Sequence, residues 1–499
     1  MPKHEWLEEG RGVARPMGTR IHLTVPSVLA TGEKFPLRVT VFGADGLPDD
    51  GFEGELRFAE SKGVEGLPGC LAFGPGNDGM YRLDGLRAVG PDFARVQGEI
   101  ENWPVVSNPA WVFDDPPYRV YWGDLHVHTV LSRCHPWSCK SPEFCYLFAR
   151  DAAHLDFAAA ADHLRGIAWD ESHWPNLQKC AAEFNEDLRF AAILGFESSH
   201  KTGMGGDNNA YFLEDDAPYF WVDREDMKGN APAVPLEDMW RFCRESGKTF
   251  FTAPHHTGRA HKYRAFNNDT YDAGVEPVFE IYSAWGSSER RWNEFPLSNG
   301  NTDEPAYFVD ALKQGCRYGV IASSDDHTTM PGGESRNWGA AFGRTGLNGY
   351  HHQGLAAVRT GDLTRGSVFR ALRGRSTYAT TFGRALVDVG LGHASVGQEL
   401  VLSRSDALRS RREIKVRLSP DSPGGGSVVL VRNGEEVMWA SYSPKRDVHE
   451  ISLVDESNVD EVAVRGARHH PDPFVVYYVR VDAGAKQTHW TSPIWVDVG

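Results

Sequence analysis

The residues in this chain best equipped for chemistry are His, Asp and Glu that cap short apolar runs. His126 and His128 lie in GDLHVHT, Asp162 and His163 close DFAAAADH, and Glu197 closes FAAILGFE. His255 and His256 close KTFFTAPHH, while Asp325, Asp326 and His327 close YGVIASSDDH. A spacing of two on a strand projects both His126 and His128 from one face, where they can converge on one ion. Imidazole mixed with carboxylate favours Zn2+, Mn2+ or Fe2+ over soft copper sites. One such residue alone is ordinarily structural; five of seven runs ending this way point to a metal centre. The set exceeds what one tetrahedral ion takes, so two or three divalent ions sharing a carboxylate are expected. Ions about 3.5–4 Å apart acidify a bridging water to give hydroxide near neutral pH and polarise the scissile group. His256, His327 and Asp326 are the candidate acids for the leaving group. Asp162 is either catalytic or orients a ligand imidazole.

Cations gather in the loops that follow these runs. Arg165 follows the second, Arg259, Lys262 and Arg264 the fifth, Arg290 and Arg291 the sixth, and Arg336 the last. In a chain of net charge −16, this local clustering predicts an anionic substrate, a phosphate or a carboxylate, clamped beside the metals by Arg165, Arg259 and Arg336. Trp169, Trp174, Tyr263, Trp285, Trp292 and Trp338 in the same loops either wall an organic substrate or pack the loops.

The elements that must position these residues are legible from periodicity. Over 118–385 seven apolar runs (those above together with NAYFL and VFEIYSA) alternate with helix-like stretches such as SPEFCYLFARDAAH and LEDMWRFCRESG. Strands alternating with helices imply βα units, and in such barrels catalytic residues gather at the carboxyl ends of strands. Residues 1–117 and 386–499 instead alternate apolar and polar residues between Gly, Pro and Asp turns, the pattern of β-sandwiches. The expected fold is therefore α/β: a distorted seven-stranded TIM-like barrel flanked by N- and C-terminal β-sandwich domains.

Composition narrows the function classes. Lys plus Arg is 52 against 68 Asp plus Glu, which argues against a chain that coats nucleic acid or an anionic membrane. The hydrophobic fraction of 41% is that of a globular protein. The first residues, MPKHEWLEEGRG, do not read as a signal peptide, and no apolar run reaches membrane-spanning length. The seven Cys form neither a disulfide framework nor paired zinc clips. A cytoplasmic location, no nucleic-acid or membrane partner, and an optional homo-oligomer follow as expectations.

The order HxH, DH, E, H and DxH resembles the polymerase and histidinol phosphatase superfamily of metallohydrolases, with GDLHVHT, AADH, GFE, PHH and SSDDH standing where its motifs stand. RALRGRSTYATT, FVVYYVRV and TSPIWVDVG are similar, more specifically, to a branch labelled domain of unknown function 3604. The resemblance implies a distorted seven-stranded barrel with a two- or three-metal centre. His126, His128, Glu197 and Asp325 would hold the first ion, and Glu197 would bridge to a second that His255 also binds. His163 and His327 would hold a third ion or contact substrate. Two stretches depart from the pattern. The fourth strand, GGDNNAYF, offers Asp207 or Asn208 where a His is usual, and Cys134 and His135 occupy the region of a third His. The leading expectation is a phosphoesterase acting on a small organic phosphate ester. The alternatives are hydrolysis of a C–N or C–O bond in a carboxylated molecule, and a noncatalytic binding protein built on a degenerate barrel.

Overall fold

The computed structural model describes residues 20–43, 45–132, 138–163, 171–201, 203–220, 234–260, 268–298, 300–333, 351–421, 424–484 and 487–499. Within them strand outweighs helix three to one, 42% against 14%.

The N-terminal part is built on the strands Arg20–Thr24, Lys34–Phe42 and Met80–Ala88, which pair antiparallel in one sheet. A second sheet of Gly54–Phe58, Cys70–Phe73, Gln97–Ile100 and Trp103–Val106 packs nearby. Alternation places Leu37, Val39 and Val41 of one sheet and Leu56 of the other in a shared core, all fully buried.

This part docks onto the centre through His154. Thr24 Oγ1 and Thr40 Oγ1 each lie 2.9 Å from one of its ring nitrogens. Arg38 and Arg384 both donate to its carbonyl oxygen. Burial, then the guanidinium of Arg38, pushes the His154 pKa well below that of a free imidazole. The ring is therefore neutral in the folded chain, whereas an unfolded His takes up a proton below about pH 6.5. Its contribution to stability is complete above that pH and declines as the pH falls beneath it. Urea unfolding from pH 7 to pH 5 is expected to show this loss, with a smaller slope in His154→Gln. Equal slopes in the two proteins rule the dock out as its source.

The principal strands of the centre are β1 (Arg119–Val127), β2 (Phe157–Ala160), β3 (Ala191–Ser199), β4 (Asp207–Phe212), β5 (Phe250–Pro254), β6 (Val278–Ser283), β7 (Gly319–Ala322), β8 (Leu355–Thr360) and β9 (Thr377–Thr380). Six C-terminal strands continue the main sheet: β10 (Gly426–Arg432), β11 (Glu435–Tyr442), β12 (Phe474–Ala483) and β13 (Gln487–Thr491), with Glu399–Leu402 and Ile494–Val498 joined off the linear path. The main sheet runs β5-β4-β3-β2-β1-β8-β9-β13-β12-β10-β11, and β6 and β7 belong to a separate sheet.

The seven-stranded α/β barrel between two sandwiches is thus not the fold that forms. The sheets stay open, and the chain is mainly β. Only β1–β2, β2–β3 and β6–β7 are parallel neighbours among the central strands, while β3–β4 and β4–β5 are antiparallel. The reason is partly connection length. The stretch between Ser199 and Asp207 is too short for a helical crossover, so β4 folds back on β3 as a hairpin. Antiparallel β8 then occupies the other edge of β1, and through β9 and β13 the sheet continues into the C-terminal strands. Single bridges, Val127 to Asp326 and His255 to Glu280, are what link the ends of β1 and β5 to the β6–β7 sheet.

These bridges still bring the strand ends together. Gly123 sets the spacing of β1 and β2: a Cβ there would meet the Phe157 ring at 2.2 Å, so only glycine lets β2 lie this close to β1. No helix among the described residues is long and apolar enough to cross a membrane.

Candidate metal centre

Strand alternation aims His126 and His128 inward from the end of β1, and both are fully buried. Their outer nitrogens are fixed. His126 Nδ1 lies 3.2 Å from Glu280 Oε2, an acceptor, so Nδ1 carries the proton and Nε2 presents its lone pair. The Ser132 hydroxyl donates to Asp162 at 2.5 Å and therefore accepts from His128 Nδ1 at 2.9 Å. Asp162 also accepts from Thr129 through both backbone and hydroxyl, so it orients His128 through Ser132.

The inner nitrogens converge with two carboxylates. His126 Nε2 lies 3.6 Å from Glu197 Oε2 and 3.5 Å from Asp325 Oδ1. His128 Nε2 lies 3.4 Å from the same Glu197 oxygen and 3.1 Å from the same Asp325 oxygen. Most of these are long for hydrogen bonds, and His126 Nε2 is buried without a hydrogen-bond partner. They match the edge of a tetrahedron, roughly 3.4 Å, around an ion 2.0–2.1 Å from each donor. The donor set fits a divalent metal.

Two neighbouring groups extend the centre. His128, His163 and His327 form one, and Glu197, Asp207, His255 and His256 another, each with ligand atoms within 4.8 Å of one another. Glu197 joins them, with His163 Nδ1 at 2.7 Å and His255 Nε2 at 3.2 Å. Burial would raise the Glu197 pKa, but His163, His126 and His255 outweigh it and hold the carboxyl ionised. His256 and Asp325 both have left-handed backbones, φ 34° and 52°, where their chains turn over the strand ends. Such geometry costs a non-glycine residue about 1–3 kcal/mol and persists where surroundings enforce it.

All seven expected ligands therefore meet in one buried cluster: His126, His128, His163, Glu197, His255, Asp325 and His327. Of the two residues offered by the fourth strand, Asp207 enters. Asn208 sits on the opposite face of β4, its amide bonded to the Gly205 carbonyl. The expected catalytic residues take other places. Asp162 positions His128, and His256 stands among the ligand groups. Asp326 accepts from Thr328 and the Met330 amide, which makes it a turn-holding carboxylate. Arg259 stacks over Trp285 at 5.0 Å beside His256, at the rim. Arg290 is turned to Glu436 and Arg291 to Asp303. Arg165, Arg336, Cys134, His135, Lys262 and Arg264 lie outside the described residues.

Sequence reasoning missed Glu280 and Ser132. The signal for Glu280 was a lone carboxylate inside the apolar run VFEIYS, where a charge needs a buried partner. Glu280→Gln keeps the shape but weakens the hold on His126. Mn2+ affinity measured by calorimetry is expected to fall roughly 10–100-fold. An unchanged affinity assigns Glu280 no such role.

No family model matches the chain. It is 27% identical over 428 residues to an uncharacterized protein of Chlamydia trachomatis, and 25% identical over 397 residues to one of Chlamydia pneumoniae. Those alignments take in 84% and 79% of this chain but 64% and 60% of the relatives, so the chain spans less than two thirds of their length. Among solved structures, dimeric latent PorU from Porphyromonas gingivalis aligns with 96% of this chain and 34% of its own, at 8% identity. Its TM-score of 0.15 is too low to indicate a shared fold.

Proposed function

We propose that this chain is a metal-dependent hydrolase acting on a phosphate ester of a small organic molecule. The observation that carries the reading is the convergence of His126, His128, Glu197 and Asp325, from three separated segments, at spacings of 3.1–3.6 Å. The resemblance of GDLHVHT, AADH, GFE, PHH and SSDDH to the polymerase and histidinol phosphatase superfamily supports it. One imidazole lone pair serves one ion, and His126, His128 and His255 each belong to two of the candidate groups. Two groups that share no residue accommodate two ions, and a third depends on how these three imidazoles are divided. The imidazole and carboxylate donors suit Mn2+, Fe2+ or Zn2+.

Divalent ions bound there supply Lewis acidity and acidify a coordinated water. The chain's own residues do the rest. Glu280 and the Asp162–Ser132 pair fix the two His of β1 in the tautomer that faces inward. Arg259, held against Trp285 beside His256, is the candidate guanidinium for a substrate oxyanion.

Elemental analysis of purified protein, with aryl phosphates assayed against aryl carboxylate esters and amides in added Mn2+, Zn2+ or Fe2+, tests the reading. At least two metal equivalents and selective phosphate-ester turnover are expected. Turnover confined to the carboxylate esters or amides assigns the centre to C–O or C–N cleavage. Less than one metal equivalent favours a binding protein.

A further inference from the structure

Arg259 Nη1 lies 3.1 Å from His256 Nε2. A guanidinium has no acceptor, so this contact has one direction: Arg259 donates, and His256 Nε2 spends its lone pair on it. The same nitrogen faces Asp207 of the second ligand group, with Oδ2 at 3.6 Å, and lies 3.9 Å from Asp325 Oδ2. An ion coordinated through Nε2 needs the lone pair that the guanidinium now engages. The two bonds are mutually exclusive.

Arg259 has somewhere to go. It stacks over Trp285, and the indole in turn stands 6.4 Å from the His256 ring and 6.1 Å from the His327 ring. A guanidinium released from His256 while still shelved on Trp285 remains beside the ligand cluster, with the N–H that had faced His256 turned toward an incoming anionic oxygen.

We propose that Arg259 competes with a divalent ion for His256 Nε2, so that loading of the Glu197–Asp207–His255–His256 group hands the guanidinium to an anionic substrate group. The anion-binding half rests on the hydrolase reading above; the competition does not. Arg259 thereby couples metal loading to substrate capture. An enzyme lacking that ion holds its anion clamp turned away.

Calorimetric Mn2+ titration of the full chain tests the competition without reference to activity. The Mn2+ equivalent lost in Asp207→Asn identifies the site. Arg259→Gln is expected to tighten that equivalent roughly 3–10-fold, the worth of one hydrogen bond no longer opposing the ion. In a His256→Ala background the same change is expected to leave Mn2+ affinity unaltered. Unchanged Mn2+ affinity in Arg259→Gln overturns the proposal. So does equal tightening with and without His256, which reduces the effect to general charge repulsion.

Inorganic phosphate then probes the second half. Mn2+-loaded wild-type protein is expected to bind it at least tenfold more tightly than loaded Arg259→Gln, and equal binding removes the anion clamp. If the competition holds while no phosphate ester is turned over, the hydrolase reading fails and the metal-linked switch of Arg259 stands.

Discussion

Glu197→Gln is expected to strip at least one metal equivalent from the protein and to slow hydrolysis by roughly a thousandfold, about 4 kcal/mol of transition-state stabilisation. Glu197 is one of two carboxylates in the cluster that face four imidazoles, Asp325 being the other. The two Glu197 oxygens face His126, His128, His163 and His255 at 2.7–3.6 Å, and both extended ligand groups lean on it. Gln keeps the volume but presents a neutral amide to four imidazoles, so it supplies no charge to hold a cation between them. Elemental analysis and steady-state kinetics read the two consequences separately. Full metal content together with a wild-type rate excludes Glu197 from the centre. A thermal melt completes the comparison, because an imidazole that loses a buried charge partner also costs stability.

The second large effect lies outside the His, Glu and Asp cluster. In the C-terminal part, Arg412 is fully buried, donating from Nε to the Tyr477 hydroxyl at 2.7 Å and sitting 3.3 Å from Asp455. Asp455 also accepts from Tyr477 at 2.6 Å and from Arg432 at 2.9 Å. Burial would raise the Asp455 pKa, but Tyr477, the Ser457 amide and Arg432 outweigh it and hold the carboxyl well below the usual range. Asp455→Ala leaves the Arg412 guanidinium buried beside no carboxylate, and is expected to cost about 3–5 kcal/mol. Denaturant unfolding checks it, and a loss under about 1 kcal/mol shows the network to be incidental. The sign with pH is fixed as well. Asp455 contributes its stability above the unfolded carboxyl range, near pH 4, and loses it as the pH falls below that.

Glu280 shows where reading the sequence for strand ends stopped short. Strand-end logic found His126, Glu197, His255 and Asp325 because a metal site at one edge of a sheet draws on what each strand presents there. Glu280 lies inside its strand and reaches the site sideways, through His126 Nδ1. It answers to burial rather than to position. Asp207 and Asn208 are separable only by pairing register. Asp207 stands opposite Ser199 and shares the inner face with Asn209, which is opposite Glu197. Asp326 looked catalytic because it adjoins Asp325, yet the turn spends its carboxylate on Thr328 and Met330.

What the chain's sequence determined by itself was chemical and local. Imidazole and carboxylate identities made a donor set that could hold metal ions, and the two-residue spacing of His126 and His128 set a shared face, since side-chain direction along a strand depends only on neighbouring backbone. Strand direction and sheet closure were not local. A seven-residue connection turned β4 antiparallel, β8 took the free edge of β1, and the sheet ran on into C-terminal strands in place of closing. Which donors meet depended on contacts between residues far apart in sequence, such as Asp325 with His128 at a separation of 197 positions. No local propensity encodes such a meeting, because the free energy that selects it comes from burying the whole sheet at once.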